Sequence, residues 1–351
     1  MSDQIKQRAR GAMLGLAVGD AISWPAMFHR SYVLPFWTRR VRREMDAASE
    51  SSQVIRPPMP FSINQNPLAF DLGPTDDSEW CAFTAEQLLQ QNGELDSEEL
   101  LAAWRRLADL PQPVRGSVST QAALSNLRKG KLPPQTGHDN PHYFDDGAMC
   151  RAVPIGVVCA GDAQRAAELA AIDAAFTNSE DGLWAAQAMA AVMSVLCSGG
   201  NVKQAIAMAQ SYLPADSWIA RTVDKALSIC DNADSVFTAI PELSREIINP
   251  EYSYASVGPE TLAVTLGILA ITKGEFEPAL LAATAFAKTA DSAPALVGAA
   301  AGALHGNKIN FEPWLNHIHH LKGICIPDFK DKNFIELVQR LSNLASGMKI
   351  K

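Results

Sequence analysis

Two glycine stripes constrain the fold of this chain more than any other feature. Gly11, Gly15 and Gly19 recur at every fourth residue inside an apolar, helix-patterned segment from Ile5 to about Ala21. Gly298, Gly302 and Gly306 repeat the spacing behind Pro294. Residues four apart lie on one face of a helix. A glycine in a helix interior costs about 1 kcal/mol relative to alanine, so three on one stripe imply a face pressed closely against another backbone. Membrane helix pairs use the same spacing, but the first segment is too short and too charged for that. Close packing within a helical bundle in water fits better.

The composition agrees. Hydrophobic residues make up 47% of the 351 and aromatics only 7%, with alanine and leucine supplying much of the apolar content. Helices favour Ala and Leu, whereas sheets favour β-branched and aromatic residues. The formal net charge of −8 argues against nonspecific nucleic-acid binding, because an acidic surface repels phosphate backbones. The one basic cluster, Arg39 to Arg43, is followed by Glu44 and Asp46 and reads as a solvated helix face. The six cysteines form no CxxC pair and sit mostly among apolar neighbours, as buried thiols in a reducing, cytoplasmic setting would. No signal peptide is evident, and apolar runs are broken before about 18 residues, so no membrane span is expected.

Helical patterning predicts further helices over Ser78–Gln91, Ser97–Leu107, Val118–Asn126, Gly147–Cys159, Ala163–Phe176, Gly182–Ser198, Asn201–Tyr212, Trp218–Asn232, Glu260–Thr272, Phe276–Lys288, Pro294–His305 and Phe334–Ser346. No strand pattern longer than a few residues appears. Residues 28–74 differ: six prolines interrupt them, one exposed helix over Arg39–Ser51 is conceivable, and the remainder reads as an irregular surface excursion. No linker divides the chain, so one all-α domain over residues 1–351 is the expectation. No heptads or apolar edge call for a partner copy, leaving a monomer as the default.

Three acidic junctions could carry chemistry. Thr75-Asp76-Asp77-Ser78 opens a helix, Asp145-Asp146-Gly147 precedes another, and Asp291-Ser292 stands before a third. Helix N-termini have unsatisfied N–H groups and a positive dipole end, so hydroxyls and carboxylates there can simply be caps. Adjacent carboxylates with hydroxyls are also a hard-oxygen set suited to Mg²⁺. For the second junction, an ion pair between these aspartates and Arg151 is the plainer reading, and Pro154 should break or kink the helix that follows. His138 and His142 lie in a polar loop, and His317, His319 and His320 lack the HExxH spacing of a zinc helix. There is no GxSxG elbow, P-loop or Rossmann glycine loop.

Taken in order, these segments resemble the ADP-ribosylglycohydrolase family. Arg10 to Ala21 looks like its RGxxxGxAxGDA helix, and Thr75 to Ser78 like its TDDT metal motif. Gly147 to Gly156 looks like its GxxMRxxPxG segment. Asp291-Ser292 with the following Gly/Ala helix looks like the end of its DTDT motif. The resemblance implies an orthogonal bundle of α-helices, one or two Mg²⁺ ions (Mn²⁺ in some members) and an ADP-ribosylated protein or ADP-ribose-containing small molecule as partner. By the same resemblance Thr75, Asp76, Asp77, Asp291 and Ser292 are metal ligands. Asp76, Asp77, Asp145 and Asp146 become candidate catalytic groups, and Asp20, Gly147, Ala148, Met149 and Asn178 candidate ligand contacts. The implied activity is hydrolysis of an N- or O-glycosidic ADP-ribosyl bond.

The chain also departs from the pattern. Thr289 stands where the DTDT motif has its first aspartate, and Cys150 where the methionine of MR is usual. Ser23 and Met27 stand where a glycine and a glutamate are usual, and Asn178 replaces a histidine. These departures motivate an alternative: a relative that keeps the fold and binds ADP-ribose without turning it over. Nothing in the residues separates an arginine, a serine or a small molecule as leaving group.

Overall fold

The computed structural model describes residues 2–30, 73–249, 256–286 and 288–347, and in the first of these the side chains as far as Ser23. The helices are α1 (Ser2–Arg30), α2 (Asp76–Gln90), α3 (Ser97–Ala108), α4 (Val118–Arg128), α5 (Gln135–His138) and α6 (Gly147–Val158). They continue with α7 (Ala163–Ala174), α8 (Glu180–Cys197), α9 (Val202–Ser211), α10 (Trp218–Asp231) and α11 (Val236–Glu246). The last are α12 (Gly258–Thr272), α13 (Phe276–Ala283), α14 (Ala293–His305), α15 (Glu312–Ile318) and α16 (Phe334–Ala345). Among the described residues there is no strand, only two isolated bridges, Asp145 with Val257 and His320 with Asn333. The fold is all-α, as the composition indicated.

The two glycine stripes meet. α1 and α14 form the most extensive helix pair among the described residues, and α1 is buried from Gly11 to Ala21. A Cβ built on Gly15 would stand 2.1 Å from the Gly298 carbonyl oxygen, and one on Gly298 would stand 2.2 Å from that of Gly15. Gly11 and Gly302 repeat the arrangement one turn away, and Gly19 faces the Pro294 carbonyl. Only hydrogen fits at these crossings, which is why helix-destabilising residues occupy helix interiors. Gly306 lies just past the end of α14 at φ +54° and continues the close approach, its Cα 2.9 Å from a Cβ built on Gly11.

Around this pair, α7, α8 and α9 pack in succession, α6 lies between α2 and α8, and α12 bridges α10 and α14. A continuous apolar cluster runs from Ala9 to Leu341, dominated by alanine, leucine and valine. Local chemistry sets many helix starts. Asp96, Ser117, Asp162, Asn201, Ser217, Ser235 and Asn333 each accept a hydrogen bond from a first-turn N–H of their own helix.

Some expectations need correction. α1 continues to Arg30, so residues 28–30 are helical rather than the start of the irregular excursion. The remainder of that excursion, with the Arg39–Ser51 helix and the basic cluster, lies outside the described residues, as does the Met27 side chain. α5, α11 and α15 are unanticipated, α11 because Pro241 masks its pattern and the other two because four and seven residues show little periodicity; His138 ends α5 instead of lying in a loop. α13 stops at Ala283, short of Lys288. α6 carries Pro154 in its interior and still runs to Val158, because residues 148–157 are buried and packing holds the turn that the proline weakens.

A contact invisible in sequence pins the C-terminal segment. The fully buried Glu79 accepts hydrogen bonds from the N–H groups of Ile324 at 2.8 Å, Cys325 at 2.7 Å and Ile326 at 2.9 Å. These donors supply in the interior the solvation that a carboxylate loses on burial.

Candidate functional site

The three acidic junctions are helix N-termini, yet none of them is a side-chain cap. Thr75, Asp146 and Ser292 are the N-cap residues of α2, α6 and α14, and no side-chain cap bond is made at any of the three. Their side chains turn instead toward one another and toward Asp20.

Asp20, one residue past the last glycine of the α1 stripe, is completely buried. Its Oδ2 accepts from the Thr75 N–H at 2.7 Å and the Ser78 N–H at 3.0 Å, and its Oδ1 accepts from the Thr75 hydroxyl. Asp20 thus does for α2 what a local cap does elsewhere, from a distant helix. This leaves Asp76 and Asp77 free to project into the site. Across from them, the Thr261 hydroxyl of α12 donates to Asp146 Oδ2 at 2.6 Å, and the Ser292 hydroxyl also favours the ionised form of this carboxyl group. The site gathers Asp20, Asp76, Asp77, Asp146 and Asp291. Asp20, Asp77 and Asp146 are buried, whereas Asp76 and Asp291 are half-buried.

The protonation behaviour follows. Burial and the charge of Asp76 push Asp20 up to about 6. Burial pushes Asp146 up to about 7, opposed by the Thr261 hydrogen bond and reinforced by the neighbouring Asp145 charge. Burial raises Asp76, and burial with repulsion from Asp76, Asp20, Asp291 and Asp146 raises Asp77 well above the ordinary carboxylate range. Asp291 rises chiefly through repulsion by Asp76, then burial, then Asp146 and Asp20. What opposes these shifts is hydrogen bonding rather than a basic side chain. The N-termini of α2, α6, α12 and α14 also point their positive dipole ends at the cluster, which moderates its charge.

A metal-free protein is therefore expected to gain stability on mild acidification. Raised carboxyl pKa values mean that the folded state holds protons more tightly than the unfolded chain. Stability then rises as pH falls from above 7 through the values of about 7 and about 6 for Asp146 and Asp20. Protein stripped with EDTA should melt a few degrees higher at pH 5.5 than at pH 7.5. A lower melting temperature at pH 5.5 would contradict the like-charge cluster.

The second junction divides its two aspartates between different tasks. Asp145 is fully buried and accepts from Ser119 N–H at 3.0 Å, Ser119 Oγ at 2.7 Å, Gly147 N–H at 3.1 Å and Asn178 Nδ2 at 3.1 Å. Asn178 also donates to the Tyr143 and Asp145 carbonyls and accepts from the Thr177 hydroxyl. Both side chains are committed to holding the turn that presents Asp146. Ala148 and Met149 are buried in the core, leaving Gly147 as the partly accessible residue of that trio. The ion pair expected between this junction and Arg151 is not formed. The buried Arg151 guanidinium pairs with Asp173 of α7 at 2.7 Å and donates to the Gly147 carbonyl at 3.2 Å, not to either aspartate of the junction.

The donor set suits a hard divalent cation: Asp76, Asp77 and Asp291 with the hydroxyls of Thr75 and Ser292. Asp77 Oδ2 is buried without a hydrogen-bond partner, as is the Thr289 hydroxyl two residues before Asp291. Among the described residues, no three His, Cys, Asp or Glu side chains are placed to hold a metal ion by themselves. Hydroxyl, solvent or substrate oxygens would have to complete the shell, as Mg²⁺ commonly requires. Sequence reasoning missed Thr261, Ser119, Asp173 and Glu79, since each acts across helices and none carries a local signal.

Comparisons with known proteins place the chain in a family. A model of the family described as ADP-ribosylglycohydrolase matches residues 1–348. No curated protein matches the chain. Among solved structures, one titled "ADP-ribosylglycohydrolase-related protein complex" is similar over 99% of both chains, with a TM-score of 0.62 and 21% identity. That likeness speaks for the fold.

Proposed function

Given that this chain belongs to the ADP-ribosylglycohydrolase family, we propose that it is a divalent-cation-dependent hydrolase of an ADP-ribosyl glycosidic bond. The observation that carries this reading is the convergence of five aspartates on one partly open site, with Asp77 Oδ2 left unpartnered. Bound by Asp76, Asp77 and Asp291 with Thr75 and Ser292, Mg²⁺ would supply Lewis-acid charge for holding vicinal sugar hydroxyls and activating water.

The chain's own residues do the remainder. Asp20 fixes Thr75 and the start of α2, which sets where Asp76 and Asp77 stand. Asp146, at about 7, lies in the range where a carboxyl group both holds and releases a proton near neutrality. It is the proton-transfer group in this proposal, held at Oδ2 by Thr261. Asp145 is its support, because its own oxygens are occupied. The substrate class is an ADP-ribosylated protein or small molecule. A second reading, ADP-ribose binding without turnover, draws on Thr289, whose buried hydroxyl is unpartnered where a carboxylate was expected.

The test uses ADP-ribosyl-arginine and ADP-ribosyl-serine peptides with Mg²⁺ or Mn²⁺. Wild type should release ADP-ribose, EDTA should stop it, and Asp77→Asn should lower kcat by at least about 100-fold, as removal of an electrostatic group does. The same variant should melt higher than wild type in EDTA, since it removes a carboxyl group whose ionised form burial and the neighbouring aspartates disfavour on folding. Full activity in Asp77→Asn would refute the cation assignment. Stabilisation of wild type by ADP-ribose with Mg²⁺, without turnover of any substrate, would favour the second reading.

A further inference from the structure

The opposite ends of α12 and α14 frame a cavity. Both helices begin at the acidic site and run about 20 Å, at 1.5 Å per residue, before ending beside it. The cavity has a volume of about 910 Å³, within the range of roughly 300–1,000 Å³ typical of small-molecule sites. Its floor is wholly aliphatic: Val202 and Ile206 of α9, Leu227 of α10, Ala270 of α12 and Leu304 of α14. No Phe, Tyr or Trp lines it, and the His305 imidazole is the one ring among its lining side chains. Its rim carries Lys203, Lys273 and Lys308, with Asp231 the one carboxylate.

This rim is unusual for the chain that bears it. The protein is acidic overall, at −8, yet three lysines surround one apolar hollow. None of the three has a carboxylate partner among the described residues, whereas Lys131, Lys225, Lys288 and Lys332 each do. Lys273 and Lys308 stand near helix C-termini, where a positive charge is locally favourable. Lys203 is the opposite case: it occupies the first turn of α9, where the helix dipole disfavours a cation. Lys273 also takes φ +54°, a conformation usually left to glycine or asparagine, although Gly274 is next to it. His305 Nε2 lies 3.0 Å from the Gly274 carbonyl oxygen and ties the two helix ends together beneath the rim.

We propose that this cavity binds a small amphipathic anion, with an aliphatic body on the floor and a phosphate or carboxylate among Lys203, Lys273 and Lys308. An aliphatic body follows from the floor, where Val202, Ile206, Leu227, Ala270 and Leu304 offer apolar area for burial. An anionic head follows from the unpaired lysines, which concentrate positive potential over a low-dielectric surface. The site is independent of the acidic cluster and of the hydrolase reading.

The test is calorimetric titration of the full chain with n-octyl phosphate, octanoate and neutral octanol. Saturable one-to-one binding of octyl phosphate or octanoate is expected, and the tighter of the two identifies the head group. Lys203→Glu with Lys273→Glu should weaken it at least tenfold. Lys129→Glu with Lys330→Glu, exposed lysines elsewhere, should leave it unchanged, as should Asp77→Asn at the acidic site. Absence of saturable binding, octanol binding as tightly as the anions, or indifference to the Lys203/Lys273 reversal would each overturn the proposal.

Discussion

Gly15→Val is expected to yield no stably folded protein, and Gly15→Ala to lose several kcal/mol. A Cβ on Gly15 would lie 2.1 Å from the Gly298 carbonyl oxygen, with the Gly298 carbonyl carbon at 2.7 Å. These are backbone atoms in a helix interior, so no side chain can swing aside. Relief requires α1 and α14 to separate. Overpacking a core with flexible neighbours costs about 1–3 kcal/mol, and a rigid obstacle should cost more. Stabilities of about 5–15 kcal/mol leave little reserve. The damage would also reach the site, because Asp20 directly follows Gly19 and Asp291-Ser292 directly precede α14. Soluble yield and thermal melting by circular dichroism provide the check. Melting of Gly15→Ala within a degree or two of wild type would show that the crossing has slack.

The second large effect is expected at Arg151. Its guanidinium is fully buried, donates to Asp173 at 2.7 Å, the Thr177 hydroxyl at 2.7 Å and the Gly147 carbonyl at 3.2 Å, and lies 5.3 Å from the Trp104 ring centroid. Arg151→Met keeps the volume but strands the Asp173 charge in the core, where its other hydrogen bond comes from Thr84 at 3.3 Å. Breaking a buried pair from one side costs about 3–5 kcal/mol. Arg151→Met with Asp173→Leu should recover part of that loss, because no uncompensated charge remains. Arg151→Lys should not substitute well, since an ammonium cannot reach three acceptors in one plane. Denaturant unfolding of the two single variants and the double gives the cycle. A loss below about 1 kcal/mol for Arg151→Met would mean that Asp173 is solvated by other means.

These two cases mark how far local pattern reaches. The periodicity of apolar residues located most helices because the period of 3.6 residues is written into each segment separately. The glycine spacing indicated a close helix crossing for the same reason, without naming the partner helix. The acidic junctions were legible as helix starts, where capping and chemistry use the same residue types. Neither Thr75 nor Ser292 caps its helix with its side chain: Asp20 supplies the α2 start from another helix, and Ser292 serves Asp146.

What the sequence by itself determined is the all-α class, the placement of most helices and the identity of residues that resist any neighbour larger than hydrogen. What only the tertiary structure decided is which charges meet. Asp145 and Asp146 are adjacent in sequence, yet one is consumed by Ser119, Gly147 and Asn178 while the other faces Thr261 and the cluster. Arg151 lies five residues from Asp146, yet pairs with Asp173. The physical reason is range. Helix formation depends on neighbours within about four residues, whereas the protonation state and partner of a carboxylate depend on burial and on charges brought together from anywhere in the chain.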